Sequence, residues 1–357
     1  MANDEQYNLV KGIGSDSELE EYRQCFGKNG TIRQLDSLVW MHQQNLVNTN
    51  SIYYAFAQPS GSIAAIYTVL PVPVSIEGIT TKAMQSVDTL TDVDHRGKGL
   101  FIKLATALYK NAEENAFALV YGFPNASSGP GFFKKLGWIS FGEVPFLMKP
   151  LRLSFFVKKL FGKRSSEIKE EIIIKSQGPL NKEQGNGMSI KSIDQFGEDY
   201  NLLWNKVKIN FKVAVNRDAH YLNWRFNKPG EFYYRYGLYV YDKLMAIVVF
   251  TIKEKHDGKV GYIMEFIFEP GNEKPAKILL RFATKFIKSQ KGDVILAWCL
   301  PHSFNLSGYR GVGFLKLPEK FRPVQLFFGV KALQMGTVGV VTEVNNWYIS
   351  YIDSDSV

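Results

Sequence analysis

"DVDHRGKGLFIKL", residues 92–104, decides the reading of this 357-residue chain. Gly97 and Gly99 flank Lys98 directly after Arg96, and an apolar stripe begins at Leu100. Leu100, Phe101, Leu104 and Leu108 share one helical face, which predicts a helix to about Asn115. The preceding "AMQSVDTLTDV" reads as a strand. A helix start leaves backbone N–H groups unpaired and carries partial positive charge, and glycines let an anion approach closely. Strand, glycine turn and helix together are therefore the setting of a phosphate cradle. The turn is not a Walker loop, since it lacks the upstream Gly and the Ser/Thr after Lys. Nor is it a dinucleotide fingerprint, because the second glycine comes too near the helix. "KGIG" (11–14) is a lone GxG outside such a unit and reads as a turn.

Composition narrows the class. A hydrophobic fraction of 45%, with 14% aromatic residues, is ample for a core, and the length suggests two domains or one large one. The formal charge of +9 suits anionic ligands without choosing among them. Two cysteines, Cys25 and Cys299, imply no disulfide framework. No His/Cys pair has metal-ligand spacing, so no metal is expected. The N-terminus lacks a signal-peptide pattern and no apolar run approaches bilayer length, so a cytoplasmic protein is expected.

Ser15 and Glu18 fit a capping box opening a helix. "SIYYAFAQ" and "GSIAAIYTVLPVPVSI" read as strands, as does "FALVYGF" (117–123). "GFFKKLGW" (131–138) reads as a short helix ended by Gly137, and "ISFGEVPFLMKPL" closes the first half as a strand or pair. Residues 151–187 are polar and charged and read as a connector. Its start, 151–164, is basic and amphipathic, which suits packing between domains or peripheral contact with an acidic membrane surface.

The second half resembles the first. "LDSLVW" (35–40) is similar to "RDAHYLNW" (217–224), and "GFFKKLGW" to "SGYRGVGF" (307–314). Asp36 to Gly137 spans 101 residues and Asp218 to Gly313 spans 95. Two signals in one order at similar spacing predict a duplicated domain. The counterpart of the opening loop, "FIFEPGNEKPAKILLRF" (266–282), has one glycine, Gly271, beside Glu269 and Glu273. Those carboxylates would repel a pyrophosphate, so only the first half is expected to hold one.

"RGKGLF" resembles the R/Q-x-x-G-x-G/A motif of the GNAT acyltransferases at Arg96 and Gly99, with Phe101 in place of the last small residue. "FFKKLGW" resembles that family's next helix and its "LGF" ending. The resemblance covers about 50–150, and the layout resembles the long two-domain acetyltransferases of bacterial surface-polysaccharide and amino-sugar pathways. It implies an α/β fold of two tandem GNAT-like domains, each a mixed, mostly antiparallel sheet flanked by helices. The division would be 1–150 for the acetyl-CoA domain, 151–187 for the linker and 188–357 for a domain with a degenerate site.

The same resemblance implies acetyl-CoA as co-substrate and an amine of a small polar acceptor, such as an amino sugar or a nucleotide sugar. The pyrophosphate would lie on Arg96, Gly97, Lys98, Gly99, Leu100, Phe101 and Ile102, and the pantetheine arm along Thr89, Leu90 and Thr91. Asn125 fits a pantetheine contact or a cap of its own turn. Phe133 stands where many relatives carry a Tyr that protonates the leaving thiolate; it has no proton to give, so Tyr121 is the substitute expected. For the base, Asp88 is preferred and Gln85 is its neighbour on the strand, with a purely structural role as Asp88's alternative. A Fem-like aminoacyl transferase using charged tRNA is a second reading, against which the intact loop counts. A CoA- or glycan-binding module without turnover is a third. Nucleic acid is not expected as a partner, because the basic residues form no aromatic-basic stripe. A homodimer is compatible with the sequence.

Overall fold

The computed structural model describes residues 6–47, 49, 51–152, 171–255, 257–319, 322 and 324–354. Along the chain the elements begin β1 (Tyr7–Lys11), α1 (Asp16–Lys28), α2 (Leu35–His42), β2 (Ile52–Ala57), β3 (Ile63–Ile76), β4 (Ile79–Thr91) and α3 (Leu100–Glu114). Next come β5 (Leu119–Gly122), β6 (Ile139–Glu143), β7 (Phe146–Pro150), β8 (Ile172–Ile173), β9 (Asn181–Gly185) and β10 (Met188–Ser192). They continue as α4 (Glu198–Val207), β11 (Val213–Val215), α5 (Ala219–Arg225), β12 (Tyr234–Val240), β13 (Lys243–Lys255) and β14 (Gly258–Phe268). The last are α6 (Glu273–Ser289), β15 (Val294–Trp298), α7 (Leu306–Arg310), β16 (Leu315–Lys316), β17 (Phe327–Ala332) and α8 (Val338–Val341).

Two compact units result. The first comprises the described part of Met1–Glu143 with Lys228–Gly230 and Gln325–Trp347. Its sheet runs β1-β2-β3-β4-β5-β17-β6. The β4–β5 step is parallel and the others are antiparallel. Alternation along the strands feeds two cores. Tyr53, Tyr67, Met84 and Val120 pack with the α3 stripe of Leu104, Ala105 and Leu108. Tyr54 and Ile66 pack with Leu19, Tyr22 and Phe26 of α1. Ser15 caps α1 by accepting from the Glu18 N–H at 3.4 Å. Glu18 Oε2 reaches instead to the N–H groups of Ile13 (2.8 Å) and Gly14 (2.7 Å), so the box motif holds the preceding turn.

The second unit comprises Val144–Asn227, Glu231–Val324 and Tyr348–Val357 in its described residues. Its sheet runs β16-β7-β15-β14-β13-β12-β10-β9, with β8 on β13. The α6 residues Leu279, Leu280, Ala283 and Phe286 pack on it with Tyr236 and Phe250. Arg217, fully buried, bonds Glu265 at 2.7 Å and also Asp353. Arg225 donates to the carbonyls of Ile352 (3.0 Å) and Ser354 (2.7 Å). These arginines thus form a structural corner holding residues 348–354.

The two sheets repeat one order of pairing. Antiparallel steps lead to one parallel step, β4–β5 or β14–β15, and then to an interposed strand, β17 or β7. Bulges fall at the same two steps, β2–β3 with β3–β4 and β12–β13 with β13–β14. Two sequence-based boundaries differ from this arrangement. Residues 146–150, expected in the first half, pair with β15 and β16 of the second unit. Val144-Pro145 offers no hairpin turn, and the residue before proline favours extended backbone, so β6 and β7 part. Within the expected linker 151–187, residues 172–173 and 181–185 are strands of the second sheet, because that sheet offers β13 and β10 as partners. Apart from Leu151 and Arg152, the basic stretch 151–164 lies outside the described residues. No described helix is long and apolar enough to cross a membrane.

Candidate active site

The site begins where β4 and β5 part. Their parallel pairing ends at Ser86↔Gly122, while β4 continues to Thr91. A bulge at this level sets Val87 and Asp88 against Thr68, between the pairs Val69↔Ser86 and Tyr67↔Thr89. The Asp92 N–H donates to the Ala64 carbonyl at 3.0 Å. Antiparallel alternation then turns the backbone groups of Thr89 and Thr91 away from β3, toward the side β5 has left. The Thr91 carbonyl there accepts from Arg96 Nε at 3.4 Å. Leu90 packs partly against the α1 core.

Asp92 fastens the turn that follows. Its Oδ1 accepts from the Asp94 N–H at 3.0 Å, and Oδ2 accepts from Lys28 (3.0 Å) and Asn29 (3.2 Å). Burial raises this carboxyl, but these three donors outweigh it and hold it below the usual range. Gly97 (φ +79) and Gly99 (φ +72) are left-handed, and Gly99 is the N-cap of α3. No side chain caps α3 and its first turn carries no acid. The Leu100, Phe101 and Ile102 N–H groups therefore project past the helix end, as the first N–H groups of any helix do. A cavity of about 410 Å³ opens there. Thr91, Arg96, Gly97, Gly99 and the start of α3 form one wall, and Ser127, Pro130, Gly131 and Lys135 the other. Gly131 permits the close approach of these walls, since a Cβ there would sit 2.6 Å from the Phe101 ring.

The remaining predicted residues distribute as follows. Lys98 turns from the cavity to lie over the Tyr7 ring, 5.6 Å from its centroid. Asn125 caps its own turn: Oδ1 accepts from the N–H groups of Ser127 (2.9 Å) and Ser128 (3.0 Å). Phe133 packs edge-on to Phe327 and against Gly329. Gln85 and Tyr121 are buried side by side, with the Tyr121 hydroxyl donating to Gln85 Oε1 at 3.4 Å. Asp88 is also buried; Arg33 grips both its oxygens (2.9 and 2.5 Å), and the Tyr22 hydroxyl donates to Oδ2 at 2.7 Å. Lys135 and Ser127 were missed at the sequence level. Lys135 lies in "FFKKLGW", which does not say which of its lysines faces the cavity, and Ser127 lies in the turn before it, some thirty residues after the loop.

A strand wedge, an uncapped helix start and a flanking cavity with Arg96 and Lys135 in its lining form a setting suited to an anionic group. Residues 16–140 match the family model described as an acetyltransferase (GNAT) domain, a stretch that contains every residue lining the cavity. Among solved structures the chain resembles N-myristoyltransferase of Saccharomyces cerevisiae, solved with bound myristoyl-CoA and inhibitors. The TM-score is 0.60 at 10% identity, over 92% of this chain and 81% of that one. It also resembles a probable N-acyltransferase of Enterococcus faecalis V583 (TM-score 0.59, 12% identity, 93% and 73% covered). A GCN5-related N-acetyltransferase of Anabaena variabilis ATCC 29413 gives 0.54 at 13% identity, with 92% and 73% covered. No curated protein matches the sequence. The fold is that of GNAT-like N-acyltransferases, and the domain match together with it supports an acyltransferase.

Proposed function

We propose that the first unit transfers an acetyl group from acetyl-CoA to the amine of a small polar acceptor, an amino sugar or nucleotide-linked amino sugar. One observation carries the reading: the cavity at the uncapped α3 start adjoins the open backbone edge of β4. The pyrophosphate sits on the N–H groups from Gly97 to Ile102, with Arg96 and Lys135 supplying charge; Lys98 adds to the local potential from beside Tyr7. The pantetheine arm pairs with the outward backbone groups of Thr89 and Thr91, leading the thioester to the bulge. The acceptor nitrogen attacks the carbonyl carbon, the oxyanion takes hydrogen bonds from the open β4 edge, and the C–S bond breaks. Asp88, fixed by Arg33 and Tyr22, keeps a lone pair on Oδ1 for the acceptor's ammonium proton. In this scheme the Tyr121 hydroxyl, beside Gln85 on the same strand pair, protonates the leaving thiolate.

The second unit, read as a tandem GNAT-like repeat, holds no cofactor in this scheme. Its corresponding helix, α6, has Glu273 in the first turn, which opposes a pyrophosphate. The reading is tested by free-thiol release from acetyl-CoA over a panel of amino sugars and other amines, with CoA binding measured by calorimetry. Absence of both CoA binding and amine-dependent thiol release would refute it.

A further inference from the structure

We propose that the Ser86 hydroxyl is a further catalytic group of the first unit, donating a hydrogen bond to the thioester carbonyl oxygen as it becomes an oxyanion. The inference rests on the acyl-transfer reading above and adds a side-chain donor to the open edge of β4.

Ser86 stands at the rung where β4 and β5 part, opposite Gly122 and directly before the bulge of Val87 and Asp88. Its Oγ accepts from the Tyr67 hydroxyl at 3.1 Å, and Tyr67 packs in the core that α3 covers. The Tyr67 ring lies 5.7 Å from that of Phe101, which lines the cavity at the start of α3. Ser86 and the cavity therefore share one side of the sheet. Gly122 keeps the space beside Ser86 clear, since a Cβ there would sit 3.3 Å from the Ser86 Cβ. Ser86 is half-buried, whereas Tyr67, Tyr109 and Trp138 are buried.

Counting protons gives the hydroxyl its role. The Trp138 indole can only donate, and it donates to the Tyr109 hydroxyl at 3.1 Å. Tyr109 and Tyr67 share one hydrogen bond at 2.7 Å. With the Tyr109 proton on Tyr67 and the Tyr67 proton on Ser86, the proton left over is that of Ser86, where the wedge opens. The reverse order would strand a proton at buried Tyr109, with the cost of an unmet donor. Among the described residues Ser86 Oγ has no hydrogen-bond partner besides Tyr67. Each bond in the chain polarises the next, which strengthens the last donor. The chain begins at an indole N–H and cannot reload a lost proton, and burial pushes the Tyr67 and Tyr109 hydroxyls well up. Ser86 therefore keeps its proton and acts by hydrogen bonding to developing charge, not by protonating the thiolate. Tyr67, Tyr109 and Trp138 are positioning residues that aim it.

The test uses acetyl-CoA labelled with carbon-13 at the carbonyl. In difference infrared spectra the bound carbonyl stretch should lie below that of free acetyl-CoA, and Ser86→Ala should move it back toward the free position. Calorimetric CoA affinity should be retained. In the thiol-release assay over the amine panel, Ser86→Ala should lower kcat roughly a hundredfold, the scale of one oxyanion donor, with KM for acetyl-CoA unchanged. Tyr67→Phe, which keeps the ring in the core and removes the proton held to Ser86, should cost roughly tenfold, the scale of one neutral hydrogen bond. The double variant should lose no more than Ser86→Ala alone, because Tyr67 acts through Ser86. An unmoved carbonyl band in Ser86→Ala, or losses that multiply in the double variant, overturn the inference and leave acyl transfer standing. A wild type that binds no acetyl-CoA overturns it together with the parent reading.

Discussion

At the scale of single residues, the site depends on side chains whose roles differ from their first appearance. Asp88 reads in the sequence as the one carboxylate before the turn; in the structure it is gripped by Arg33 and Tyr22. Asp88→Asn should lower turnover strongly and leave CoA affinity intact, as measured by thiol release and calorimetry. It should also cost about 1–2 kcal/mol of stability, less than a fully buried pair because Arg33 is one-third exposed. Full activity in that variant would remove Asp88 from the mechanism. Gly99 meets no atom within 4 Å of a would-be Cβ, so Gly99→Ala tests backbone conformation alone. The left-handed angle predicts about 1 kcal/mol of destabilisation in urea titration and several-fold weaker CoA binding.

At the scale of elements, the strand, glycine turn and helix were legible because each had its own local chemistry. The α3 stripe, the left-handed glycines and the Asp92–Asp94 turn contact all follow from residues within one short segment. Reversing both charges, Arg96→Glu with Lys98→Glu, should weaken CoA binding by at least about a hundredfold at low salt. The circular-dichroism spectrum and melting temperature should be preserved, since both side chains are exposed. Unchanged CoA affinity would refute the cofactor assignment. The partners of β6 and β7 were not legible. Short alternating strands fit any open edge of suitable face, and pairing over such separation is decided by tertiary contacts.

At the scale of the whole molecule, the two sheets share one pairing order and the same bulge positions. The second half's aromatic and arginine-rich segment "RDAHYLNWRF" is spent on structure, with Arg217 between Glu265 and Asp353. Burial pushes the Asp353 carboxyl up to about 6, despite Arg217 beside it. A carboxyl raised in the folded state adds stability below its unfolded range, and that gain is lost as pH rises through the folded value. The stability of the wild type relative to Asp353→Asn should therefore fall between about pH 4 and pH 7, as read by denaturant titration. A flat difference across that window would contradict the burial argument. The interposed strands carry a further consequence, for the order in which the molecule can be made. A ribosome that has released β6 has not yet synthesised β17, the strand that must lie between β5 and β6. The nascent first unit must wait, with two strand edges open, until Phe327 emerges. Over that interval it is a substrate for chaperones and for pairing with neighbouring chains. A fragment ending at residue 150 would never leave that state.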